Sequence, residues 1–218
     1  MNDITTEQRQ KLIDHFKSTP ISGGLGTKDE PCTFAAIQLA LTGELTDKDE
    51  AECVSPTIRE WVISVQDFMP SAMRTDPEDE HSKRWRQTAP WIAGTVNEDL
   101  EEARQAMVID WMWDCLGGDM VPEWVPDQFH QQWSAILSDK SIETLYALDW
   151  EIIYDDDCTE QERRVHESLT DAAYIAAQAL YSDDAVSVVV IAATVSGNNY
   201  NFWRMADPAG LLKRLIEA

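Results

Sequence analysis

Residues 55–70 read SPTIREWVISVQDFMP, and how this stretch is read decides the fold class. Ser55 followed by Pro56 is a helix start: the hydroxyl accepts from the first turn, and proline takes the position whose N–H would be unpaired anyway. Ile58, Trp61, Val62, Val65, Phe68 and Met69 then recur at three- and four-residue spacing, which gathers them on one side of an α-helix and on alternating sides of a strand. Pro70 ends the run. The stretch is an amphipathic helix, and its buried stripe demands other helices to cover it.

The same signals recur outward from it. Thr5 with Gln8 makes a capping box for a helix over about 6–18 that carries Leu12, Ile13 and Phe16 and stops before Pro20. Thr33 is placed to cap a second helix with Phe34, Ile37, Ala40 and Leu41 on its inner face, ended by Gly43. A short helix is expected around 78–88, with the cationic cluster Lys83, Arg84 and Arg86. From 98 to Gly117, Leu100, Ala103, Met107, Trp111 and Asp114 are read as one stripe, and Phe129, Trp133, Ile136 and Leu137 mark a helix over 126–138.

Residues 142–154 read equally as helix or strand. Thr159 with Glu162 starts an alanine-rich helix, and AVSVVVIAATVS at 185–196 is read as a buried helix despite its valines. Asp207-Pro208 opens a last helix carrying Leu211, Leu212, Leu215 and Ile216. The expectation is an all-α protein: one irregular bundle of eight or nine helices spanning 1–218, with a subdivision at 140/141 into a tryptophan-rich and an alanine-rich part.

Charge excludes more than it assigns. Forty acidic side chains against 17 basic ones leave −23 in 218 residues, a field that repels nucleic acid and anionic membrane surfaces. Between 105 and 162 the sole cation is Lys140 against 14 acids, a local −13. Such a block is either a solvated face, an adaptation to salt, or a docking surface for a cationic partner. The candidate binding residues are Asp110, Asp114, Asp119, Asp149, Glu151, Asp155, Asp156 and Asp157. No run reaches the roughly 18 apolar residues of a membrane span, and the start of the chain lacks a basic-then-apolar leader, so a cytoplasmic protein is expected. Cys32, Cys53, Cys115 and Cys158 are widely spaced and are read as reduced thiols.

Several motifs resemble chemistry and fall short of it. ISGGLGTKDEPCT at 21–33 has three glycines and a lysine, but Thr27 intervenes between Gly26 and Lys28, and no strand precedes it, so a phosphate loop is not expected. The helix start after Thr33 remains able to hold an anion. Cys32 lies beside that start, where a thiol pKa can fall, yet none of His15, His81, His130 or His166 is marked as its base. Asp110 and Asp114, one turn apart and flanked by Trp111 and Trp113, have the spacing for a cation or a shared proton. No catalytic residue, metal or cofactor is assigned. Of nine tryptophans, Trp61, Trp111 and Trp133 fall on core stripes, whereas Trp85, Trp91, Trp113, Trp124 and Trp203 are candidates for an interface.

The order GGLG, CTFAAIQLALTGELTD, CVSPTIREWVISVQDFMP, WRQTAPWIAGT, AMVIDWMWD and finally FWRMADPAGLLKRLIEA resembles a set of bacterial and phage-borne hypothetical proteins, over about 23–116 and 165–217. The resemblance implies a helical, alanine-rich 159–203 region and no established activity, so it assigns no site residue. This chain departs from it at Val186, Val188, Val189, Val190 and Ile191. The function expected is a non-enzymatic interaction protein whose acidic middle meets a basic protein surface, with DNA mimicry as its phage-borne form. The alternatives are a small metal- or cysteine-dependent hydrolase, and a self-assembling structural protein using the last helix and exposed tryptophans.

Overall fold

The computed structural model of the chain describes residues 4–46, 53–117, 127–141, 143–144, 176, 180 and 200–218. It is an all-α protein. The helices are α1 (Thr6–Ser18), α2 (Thr33–Thr42), α3 (Pro56–Phe68), α4 (Ala72–Thr75), α5 (Glu80–Thr88), a single 3-10 turn (Ala89–Trp91), α6 (Glu98–Leu116), α7 (Asp127–Asp139), α8 (Tyr200–Ala206) and α9 (Pro208–Glu217). The valine-rich 185–196 run lies outside the described residues, and so does the ambiguous 142–154 run apart from Glu143 and Thr144, which are helical. No described helix is long and apolar enough to cross a membrane.

The chain divides into two compact units, one formed by Met1–Met107 with Asn198–Ala218, the other by Val108–Gly197, the boundary falling inside α6. In the first unit α1 packs on α2 and α5, α3 on α2 and α9, and α5 on α4 and α9. Its core holds Leu12, Phe16, Ile37, Ile58, Trp61 and Trp85, all at most 1% exposed. The capping box of α1 is present as Thr5–Gln8, and Ser55 caps α3 with Pro56 in its first turn.

Two local expectations are corrected. The cap of α2 is Cys32, whose Sγ accepts from Ala35 N at 3.3 Å, because Thr33 has turned inward. Its buried hydroxyl accepts from Gln66 Nε2 at 2.6 Å and Trp85 Nε1 at 3.0 Å, which ties α2 to α3 and α5. The inner stripe of α6 runs through Arg104, Val108, Trp111, Met112 and Cys115, while Ala103 and Asp114 face solvent.

The same stripe holds Arg104, a side chain that hydropathy places outside, at 2% exposure. This arginine donates to the carbonyl oxygens of Leu215 at 3.0 Å and Thr95 at 2.8 Å, and to Glu101 Oε1 at 2.7 Å. A guanidinium is stable in a core when its fork of donors is matched this fully. Glu101 in turn accepts from Ser55 Oγ at 2.9 Å and Thr57 N at 3.2 Å, so one carboxylate joins the start of α3 to α6.

The last helix is set by its cap as well. Asp207, at φ 46, accepts from Gly210 N and receives both Arg84 guanidinium nitrogens at 2.7 and 3.1 Å. Leu211, Leu212 and Leu215 are fully buried in the core of the first unit, which leaves Ile216 as the partly exposed member of the face expected for self-assembly.

Candidate functional site

Asp110 and Asp114 stand on the half of α6 that belongs to the second unit. The opposite side of this segment is filled by Val108, Trp111, Met112, Cys115 and Leu116, each at most 2% exposed, so the carboxylates are held outward by a closed apolar face. Trp113 lies between them in sequence but is 4% exposed and does not frame a polar site. The second unit also contains α7, tied to the end of α6 by Trp133 Nε1 donating to Leu116 O at 3.0 Å. Asp119, Asp149, Glu151, Asp155, Asp156 and Asp157 lie outside the described residues.

The charge division follows the division of the fold. Val108–Gly197 carries 18 acidic and 3 basic side chains, a formal −15, whereas the larger unit carries 22 and 14, a formal −8. Among the described residues no group of three His, Cys, Asp or Glu side chains is arranged to hold a metal ion. Two carboxylates on one helix are too few ligands for a hard cation.

The glycine-rich stretch is a closed turn. Ser22 N donates to Pro31 O at 3.0 Å, Thr27 N to Glu30 O at 3.0 Å and Cys32 N to Leu25 O at 3.1 Å, and Gly24 N donates to the Asp67 carboxylate at 2.9 Å. Four of its amides are thus spent on carbonyls and on an anion supplied by the protein itself. The start of α2 is spent too, with Thr33 N donating to Gln66 Oε1 at 3.2 Å and Ala35 N to Cys32 Sγ. That removes the anion-holding role expected of this helix start.

Cys32 is 5% exposed and its sulfur is an acceptor, the environment of a packing residue rather than of an accessible nucleophile. His81 is fully engaged elsewhere. Ala209 N donates to its Nε2 at 3.1 Å, which leaves the proton on Nδ1, facing Met73 O at 3.2 Å. Burial, above the opposing pull of the Met73 carbonyl and Asp79, pushes its pKa down and keeps the ring neutral. Burial also lowers His15. Buried Cys115 is pushed well up, chiefly by desolvation and then by Asp114, so it stays a thiol.

The tryptophans divide differently from expectation. Trp61, Trp111 and Trp133 are core residues as read, but Trp85, Trp113 and Trp203, read as candidates for an interface, are also at most 4% exposed. Each follows from packing that position along the chain does not reveal: Trp85, for example, stacks on Trp61 at 6.2 Å between ring centres. Trp91 alone of these candidates among the described residues reaches solvent, at 49% exposure.

Trp91 is held firmly for an exposed ring. The Arg9 guanidinium lies over the indole, 4.7 Å from its centre, and is itself fixed by donating to the carbonyls of Pro90 and, at 2.7 Å, Ala93. The ring forms part of two clefts in the first unit. One, about 430 Å³, has an apolar wall of Ile13, Pro77, Pro90 and Trp91; the other, about 410 Å³, runs along Lys213, Ile216 and Glu217 of α9. The cationic cluster read from the sequence is split here. Arg84 is taken by Asp207, while Lys83 and Arg86 turn to the first cleft and meet Lys17 from α1.

Compared with known proteins, the chain matches no family model, no curated protein and no solved structure.

Proposed function

We propose that the protein is a non-enzymatic interaction protein that presents its second unit, residues 108–197, as an acidic docking surface to a basic protein. The observation that carries this reading is the concentration of a formal −15 in that unit together with the outward placement of Asp110 and Asp114 over a filled apolar face. A dense anionic surface steers a cationic partner at long range and rejects like-charged ones, which makes charge complementarity the source of both rate and selectivity. The engaged state of His81 and the capping role of Cys32 weigh against the hydrolytic alternative, since neither side chain is free to act on a substrate.

In the narrower form of the proposal the partner is itself a nucleic-acid-binding protein, and the carboxylates occupy its phosphate-binding surface. The test is retention of cellular proteins on the immobilised full chain at low salt, followed by affinity measurement on a purified retained protein. Binding is expected to fall steeply as salt rises, to weaken in the Asp110→Asn/Asp114→Asn double variant, and to be displaced by duplex DNA in the narrower case. Recovery of no basic protein at low salt removes the proposal; a partner insensitive to both salt and the double variant removes its electrostatic basis.

A further inference from the structure

The cleft at Trp91 selects charge against the composition of the chain. Its charged lining residues are Lys17, Lys83 and Arg86, with no carboxylate among the lining residues, in a protein whose charged side chains are 40 acidic to 17 basic. These cations come from α1 and α5 and converge only in the folded unit. The apolar part of the lining is rigid: two prolines have fixed φ, and Arg9 of α1 braces the indole while donating to the Pro90 carbonyl.

The two lysines are available as well as present. Lys17 meets Asp14 at 3.9 Å and Lys83 meets Glu78 at 3.3 Å, both exposed pairs of the kind that exchange readily for another anion. Arg86 is anchored by donating to Thr75 O at 3.1 Å and Ser82 Oγ at 3.0 Å with Asp76 acting on it, so it adds positive charge to the cleft rather than a free donor. A volume of about 430 Å³ falls within the usual range of about 300–1,000 Å³ for small-molecule sites.

We propose that this cleft binds a small amphipathic anion, its flat apolar body against Trp91, Pro90, Pro77 and Ile13 and its carboxylate or phosphate among Lys17, Lys83 and Arg86. Size decides against a polyanion. The remote field of a −23 protein repels nucleic acid along its whole length, whereas a compact ligand with one or two charges responds to cations within the screening length of about 8 Å at physiological salt. All the residues lie in the first unit, so this site stands or falls separately from the acidic docking surface.

The test is calorimetric titration of the full chain with three probes sharing one ring system: 2-naphthoate, 2-naphthyl phosphate and the neutral 2-naphthalenemethanol. One or both anions should bind one to one, at least about tenfold more tightly than the neutral probe, and which of them binds identifies the headgroup. Lys17→Gln/Lys83→Gln, which touches only exposed side chains, should weaken the anion about tenfold and leave the neutral probe unchanged. Trp91→Ala, with its fold verified by circular dichroism, should weaken all three. Equal binding of neutral and anionic probes, indifference to the lysine change, or no binding of either anion at about 1 mM overturns the proposal. An acidic peptide that binds where both small anions fail overturns it in favour of protein docking.

Discussion

Arg104 Nε donates to the main-chain oxygen of Leu215 at 3.0 Å, a bond across 111 residues that fastens α6 to the far end of the chain. The same guanidinium holds Thr95 O and Glu101, so one side chain ties the last helix, the loop before α6 and, through Glu101, the start of α3. Arg104→Ala would leave two carbonyls and a carboxylate short of partners in the interior, a loss of about 3 kcal/mol. Urea denaturation measures it. Arg104→Lys should recover little, because an ammonium cannot reproduce the fork, and a loss under about 1 kcal/mol for the alanine variant would show that water replaces the network.

His81 predicts the acid limb of stability. Its folded pKa is lowered, mainly by burial, while the unfolded ring titrates near 6.5. Its stabilising contribution is therefore complete above about pH 6.5 and is lost as pH falls toward the lower folded value, because protonation forfeits the bond that Nε2 accepts from Ala209 N. Unfolding free energy measured by urea at successive pH values should decline below about 6.5. His81→Gln should be less stable at pH 7.5 and show a shallower decline; an unchanged slope in that variant would assign the acid sensitivity to other groups.

Thr33 anchors three helices through one hydroxyl. Thr33→Val keeps the shape but leaves the Gln66 and Trp85 donors buried without their acceptor, which should reduce stability by about 2 kcal/mol, whereas Thr33→Ser should lose less than half of that. Thermal unfolding followed by circular dichroism distinguishes them, and equal melting temperatures for the two variants would remove the hydroxyl from the account.

Gly24 and Gly26 separate backbone strain from steric exclusion. Both have positive φ, 59 and 72, but a Cβ at Gly24 meets open space, while one at Gly26 comes within 2.1 Å of Glu30 O. Gly24→Ala should therefore reduce stability by about 1 kcal/mol and Gly26→Ala by clearly more, since the Glu30 carbonyl is backbone. Comparable losses in the two variants would mean that the turn opens to relieve the contact.

The sequence by itself determined the helices with strong ends. Thr5–Gln8, Ser55–Pro56, Asp207–Pro208 and Gly43 use short-range hydrogen bonds and allowed φ, so their meaning is complete within a few residues, and an all-α fold follows from them. The outward placement of Asp114 was not legible in the same way: its spacing from Trp111 put it on the inner stripe of α6, and only the packed helix turns it to solvent.

Tertiary structure decided the rest. Arg104 enters the core, Thr33 leaves its cap and Trp85 and Trp203 are buried because their partners come from distant segments, which no local period can express. The cationic cleft belongs to this second group. Lys17, Lys83 and Trp91 are unrelated in sequence and share a surface only once α1 packs against α5 and the turn that follows it, since hydrophobic burial brings helices together without regard to the charges they carry outside.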